Sequence, residues 1–142
     1  MRSVPVSTAL RTIAPLRVAE VMSWGVVSCP ADASLETVAA LMSAERIHCV
    51  VVMEGDTSLW GVVSDLDLVA AASVRPLAAQ RAGGTAMRPA VTVAPSESLD
   101  VAARLMARAG VTHLVVVDPI ERRPVGVLST LDLAGALSAG QL

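Results

Sequence analysis

The sequence predicts an α+β fold made of two copies of one β-α-β-β-α unit. Three observations predict it. The phrase Gly61-Val62-Val63-Ser64-Asp65-Leu66-Asp67 returns 65 residues later as Gly126-Val127-Leu128-Ser129-Thr130-Leu131-Asp132. Each phrase follows a short run of apolar and β-branched residues, Ile47 to Met53 and Thr112 to Val117, of the kind that forms a buried strand. Each run follows a serine and then apolar residues at helical spacing. These are Ser34 before Leu35, Val38, Ala39, Leu41 and Met42, and Ser98 before Leu99, Val101, Ala102, Leu105 and Met106.

The elements follow in order. Met1 to Pro15 has no steady period and carries Pro5 and Pro15, which reads as an arm. Arg17 to Met22 is a helical turn, and Val26-Val27-Ser28 is a short strand ended by Pro30. Ser34 caps a helix to about Glu45. The Ile47–Met53 strand turns at Glu54-Gly55-Asp56 into a partner strand, Trp60 to Val63, and a helix runs from about Ser64 to Ser73. The stretch from Val74 to Gly84, with Pro76, Gly83 and Gly84, reads as a linker. The programme then restarts: Thr85 to Pro89, a strand Val91-Thr92-Val93 before Pro95, and a helix from Ser98 stopped by Gly110. The strand from Thr112 to Val117 turns at Asp118-Pro119 into Pro124 to Leu128, and a last helix runs from about Ser129 to Ser138. The domain reading is an arm at 1–16, repeats at 17–73 and 85–142, and a linker at 74–84. Met22 and Met87, Pro30 and Pro95, and His48 and His113 are 65 apart, whereas Leu35 and Leu99 are 64 apart. That pattern predicts one deletion before the first long helix and one insertion after it. Each repeat alone is too small to close a core, so the two are expected to pack on each other.

Composition narrows the function. The chain has 142 residues, 54% of them hydrophobic and 17% charged. No apolar run approaches the 18 or so residues that span a bilayer, and no signal-peptide pattern follows Arg2 or Arg11, so no membrane segment is expected. Net charge is −2 without a basic block, and Trp24 and Trp60 are the only aromatic residues, which argues against nucleic acid. Cys29 and Cys49 read as reduced core thiols of a cytoplasmic protein. There is no nucleophile with a paired base and no metal-ligand spacing, so no enzyme activity, metal or resident cofactor is expected. The repeated phrase is a strand running into a helix, with Ser64 and Ser129 as N-caps and Asp67 and Asp132 in capping-box positions. A helix start of this kind suits an anion through its unpaired N–H groups, and it is equally explained as a cap alone.

The whole arrangement resembles a tandem pair of cystathionine-β-synthase (CBS) domains over about Arg17 to Leu137. The resemblance rests on the repeated Met-x-(Pro/Trp) opening, the Ser-Leu helix starts, the His-bearing Val-rich strands and the Gly-Val-(Val/Leu)-Ser-x-x-Asp phrase, all twice and in order. It implies two β-α-β-β-α repeats packed with pseudo-two-fold symmetry and two clefts that take AMP, ADP, ATP or S-adenosylmethionine. It also implies roles: Asp132 and Asp67 on the ribose hydroxyls, Ser129 and Ser64 on ribose or phosphate, and Val127 and Val62 along the adenine. His113 and His48 resemble a phosphate-binding histidine, and Thr130 and Ile47 complete the two nucleotide-binding sets. Each cleft is expected to be closed by the pre-strand segment and central strand of the opposite repeat.

Arg46, Arg88, Arg122 and Arg123 are candidate phosphate partners or plain surface charges. Arg122-Arg123 upstream of the second phrase, against Glu54, Asp56 and Asp65 near the first, favour the Asp132 cleft for an anionic ligand. Met22, Met42, Met87 and Met106 read as core or interface, and Trp60 as a cover over a cleft or, in preference, an exposed strand end. Two functions fit. One is a regulatory module that senses an adenine nucleotide and acts on a partner encoded elsewhere. The other is a dimerisation scaffold with empty clefts. In either case a homodimer is expected, through helices around Leu41, Leu66, Leu105 and Leu131.

Overall fold

The computed structural model describes residues 16–140. The expected arm, apart from Leu16, lies outside them. Along the chain come helix α1 (Val18–Val21), strands β1 (Ser23–Trp24) and β2 (Ser28–Pro30), helix α2 (Leu35–Glu45), strands β3 (Cys49–Glu54) and β4 (Ser58–Ser64), and helix α3 (Asp65–Ala72). A 3-10 turn at Leu77–Ala79 leads to α4 (Ala82–Thr85), β5 (Thr92–Val93), α5 (Leu99–Ala109), β6 (His113–Val117), β7 (Pro124–Ser129) and α6 (Thr130–Ser138). The fold is α+β, as the repeat predicts.

The described residues divide into two compact units, residues 26–90 and residues 16–25 with 91–140. The second unit is discontinuous. It holds a four-stranded sheet in the order β1-β7-β6-β5, with β5 parallel to β6 and the other pairs antiparallel. Its core gathers Val18, Leu99, Leu114, Val116 and Leu128, all fully buried, under α5 and α6. The unit of residues 26–90 repeats the design with the sheet β2-β3-β4. Its core is Leu35, Val38, Val50, Val52 and Val63 under α2 and α3. Where the first sheet has β1, this one has a single antiparallel bridge from Met87 to Val62.

Local chemistry explains the helix ends. Ser34 and Ser98 accept the Thr37 and Val101 amides, as N-caps do. Both helices end on a left-handed residue, Arg46 (φ 54) and Gly110 (φ 66). Arg46 carries the cost of that conformation that glycine avoids. Residues 74–84 are anchored, not slack. Ala82 is fully buried, and the Gln80 amide donates to the carbonyls of Ala71 (2.9 Å) and Arg75 (3.0 Å).

The strand register corrects the repeat alignment. Ser28 faces Val51 as Thr92 faces Val115, and Cys49 faces Ser64 as His113 faces Ser129. One offset of 64 therefore holds from the start of each repeat through β3 and β6, and it becomes 65 beyond the hairpin. A single extra residue in the β6–β7 hairpin explains the whole pattern. Pro30 consequently matches Ala94, not Pro95. Met22 matches Ala86, since both amides bond four residues back, to Val18 and Ala82. His113 matches Cys49, and His48 matches Thr112. The two histidines are not equivalent. Met22, Met42 and Met106 are buried as expected, whereas Met87 is 40% exposed.

Candidate functional site

Alternation along β6 and β7 separates two faces. Leu114, Val116 and Leu128 point into the helix-covered core, so His113, Val115, Val127 and Ser129 point to the other face. Ser23 of β1 is paired with Val127 and extends that face. The pre-strand segment of the first repeat thus lies along the phrase of the second. Gly126 makes this possible: a Cβ there would collide with the Ser23 carbonyl and the Met22 methyl. Gly61 has the same relation to the Met87 carbonyl.

Both phrases form complete capping boxes. Ser129 Oγ accepts the Asp132 amide (3.1 Å) while Asp132 Oδ2 accepts the Ser129 amide (2.8 Å). Ser64 and Asp67 do the same at 3.2 and 2.8 Å. Each aspartate therefore has a structural task, and both are only half-buried. Among the described residues, Asp132 Oδ1 takes no protein hydrogen bond. That leaves an anionic acceptor at a helix start, beside an apolar strand face.

The surroundings of the two phrases differ. His113 lies directly across from Ser129, within the roughly 5 Å Cβ spacing of a cross-strand pair, and its Nδ1 pairs with Thr112 Oγ1 at 2.9 Å. Thr130, the first residue of α6, is exposed, and its amide donates to the Thr112 carbonyl. In residues 26–90 the position across from Ser64 is Cys49, and Val62 and Val51 complete that face. His48 precedes β3 and is exposed, with its Nδ1 2.9 Å from Asp65 Oδ2. Ile47 also precedes the strand and packs on the core of its own unit. A carboxylate thus stands at the first phrase where the second has a hydroxyl.

The other charges lie elsewhere. Arg122 and Arg123 sit at the start of β7, and the strand carries Ser129 about 20 Å away from them at ~3.3 Å per residue. Glu54 and Asp56 are likewise at the far end of their hairpin. The preference for the Asp132 cleft therefore does not rest on these groups. Arg122 instead borders a cavity of about 450 Å³ with Glu97, Leu105, Val117 and Asp118. Arg88 stacks on Trp60 at 3.5 Å from the ring centroid, and the indole N–H donates to the Gly83 carbonyl (2.9 Å). Trp60 is pinned, not an exposed strand end.

Burial, and secondarily the charge of Asp65, pushes the Cys49 thiol up to about 12 from 9.0, and burial raises Cys29. The folded Cys49 keeps its proton where the unfolded chain loses it. Its contribution to stability is therefore intact below pH 9 and falls as pH rises from about 9 towards 12. At pH 8, alkylation of Cys49 is expected to be roughly 1000-fold slower in the folded protein than in urea, read by mass spectrometry. Equal rates would contradict this.

Two repeats of one topology, each ending in a strand-to-capped-helix phrase crossed by a segment from the other repeat, define a paired-repeat module. A family model for the CBS domain matches residues 18–74 and 84–139, so the chain belongs to the CBS-domain family. No curated protein matches the chain. Solved structures share the fold. The CBS domain pair of protein MJ0100, in complex with 5′-methylthioadenosine and S-adenosyl-L-methionine, is 18% identical. It aligns over 87% of this chain and 97% of that one with a TM-score of 0.80. The CBS domain of a bacterial CNNM/CorC family Mg2+ transporter is 19% identical over 96% and 82%, TM-score 0.78. The CBS-domain containing protein ATU1752 from Agrobacterium tumefaciens is 22% identical over 85% and 92%, TM-score 0.76. Among the described residues no helix is long and apolar enough to cross a membrane, and no His, Cys, Asp and Glu cluster could hold a metal ion.

Proposed function

We propose that this chain is a cytoplasmic regulatory module. It binds an adenine nucleotide such as AMP, ADP or ATP, or S-adenosylmethionine, and passes the binding event to a partner protein as a homodimer. It has no catalytic role of its own. The observation that carries this reading is the grouping at Asp132. A half-buried carboxylate with an oxygen to spare stands at a helix start, beside Val127, Ser129 and His113 on one sheet face. A carboxylate accepts both hydroxyls of a cis-diol, which selects ribose. An apolar strand face gives adenine a slot, and helix-start amides with an imidazole suit a phosphate.

Asp67, Ser64 and Val62 form the same grouping with Cys49 in place of a histidine across from the serine, and with Asp65, held to His48, beside it. This cleft favours ligands of lower negative charge, such as S-adenosylmethionine or adenosine. The complete capping boxes also fit a scaffold with empty clefts, because they give both aspartates a task without any ligand. A thermal-shift screen separates the readings. A ligand at about 100 times its Kd adds about 2.7 kcal/mol of stability and raises Tm by several degrees. No shift with any adenine ligand leaves the scaffold.

A further inference from the structure

We infer that the cavity of about 450 Å³ at the Arg122 end of the β6–β7 hairpin is a second binding site, and that it takes a free aliphatic α-amino acid. It lies at the opposite end of both strands from His113 and Ser129 and does not rest on the nucleotide reading. Its lining comes entirely from residues 92–122, inside one compact unit. Strand β5 is the edge of its sheet, and the cavity opens between that edge, α5 and the hairpin. Its volume is of the order that small-molecule pockets have, roughly 300–1,000 Å³.

The wall carries both signs of charge. Glu97 and Asp118 are half-buried carboxylates, and Arg122 is exposed. Backbone amides fix each carboxylate through one oxygen. Glu97 Oε1 accepts the Ser98 amide (3.0 Å), and Asp118 Oδ1 accepts those of Ile120 (2.8 Å) and Glu121 (3.1 Å). Among the described residues, the second oxygen of each takes no protein hydrogen bond, and Arg122 makes no ion pair. The hairpin sets Arg122 in place, since its amide donates to the Asp118 carbonyl at 2.7 Å with φ at 60°. The first repeat does not carry this set. Ala33 stands at the position of Glu97, and its hairpin residues Gly55, Asp56 and Thr57 include no cation.

The charges select the ligand. A lone amine would be repelled by Arg122, and a phosphate by two carboxylates. A zwitterion answers both signs. Its ammonium has three donors for the open oxygens of Glu97 and Asp118, and its carboxylate matches the guanidinium fork of Arg122. The rest of the wall is apolar, with Val93, Leu105 and Val117, and no aromatic ring lines it. That surface suits an aliphatic side chain, whose burial supplies affinity while the charged groups set orientation.

Titration of the full-length chain with L-leucine, L-valine and L-methionine tests the site, by calorimetry and by saturation-transfer NMR on the ligand. The expected result is binding of at least L-leucine with Kd below about 1 mM. Two fragments of leucine are the controls: 3-methylbutylamine, which lacks the carboxylate, and 4-methylpentanoate, which lacks the ammonium. Each is expected to bind at least roughly tenfold more weakly. Arg122→Gly is expected to weaken L-leucine by a similar factor and to keep its melting transition, because glycine adopts a φ of 60° at no steric cost. Glu97→Gln keeps an oxygen for the Ser98 amide and is expected to weaken L-leucine as well. AMP titrated into the Arg122→Gly protein is expected to behave as with wild type, so this site and the nucleotide reading are judged separately. No heat and no NMR transfer with any of the three amino acids at about 10 mM overturns the inference. So does an amine fragment that binds as well as leucine, or leucine binding that survives both Arg122→Gly and Glu97→Gln.

Discussion

Asp132→Ala is expected to lower affinity for an adenine nucleotide by roughly 30- to 150-fold, on the order of 2–3 kcal/mol, with a stability loss of only about 0.5–1 kcal/mol. The two losses have separate causes. The side chain completes a capping box through Oδ2, and that bond is structural. Ribose recognition uses the charge and the second oxygen. Asp132→Asn sharpens the test, because an amide oxygen can still accept the Ser129 amide while the charge is gone. It is expected to keep most of the stability and still lose most of the affinity, by calorimetry and thermal denaturation on the same samples. Asp67→Ala has the same cap geometry but stands beside Asp65 and lacks a histidine across from its serine. It is expected to change binding of a phosphorylated ligand less.

Gly126→Val is expected to destabilise the protein by about 3 kcal/mol and to abolish binding at the Asp132 cleft. The obstacle is backbone, not a mobile side chain. The new side chain would meet the Ser23 carbonyl, and β1 could escape only by leaving β7. The unit would then lose both a sheet edge and one wall of the cleft. Gly135→Ala is a control, since nothing lies within 4 Å of a Cβ there and alanine suits a helix. Denaturant unfolding gives the stability term, and ligand titration of the folded fraction gives the second. A Gly126→Val protein with unchanged stability would contradict the close approach of these two strands.

The fold was legible because periodicity and caps act locally. Ser34, Ser98, Ser64 and Ser129 all head helices where a serine before apolar spacing predicts them. The repeat was legible for the same reason, since the phrase at Gly61 and Gly126 keeps its residues in order. What misled was counting residues across a hairpin. His48 and His113 share a spacing of 65, but strand pairing, which sequence spacing does not encode, places the extra residue in the β6–β7 hairpin. Matching Cys49 with His113 across Ser64 and Ser129 would have shown it. The distance of Arg122 and Arg123 from Ser129 is hidden in the same way. Six residues of strand are short in sequence but about 20 Å long in space. The fixing of residues 74–84 depends on Gln80 finding the end of α3, a tertiary contact with no local signature.

The central claim is that Asp132 holds a ribose. Titration calorimetry of the wild-type protein with AMP and with 2′-deoxy-AMP tests it most directly, because the two ligands differ only in one hydroxyl. Binding of AMP with the deoxy ligand weaker by roughly tenfold or more is the predicted result, the loss of one charge-assisted hydrogen bond. Equal affinity for the two, or no heat with either, would contradict it.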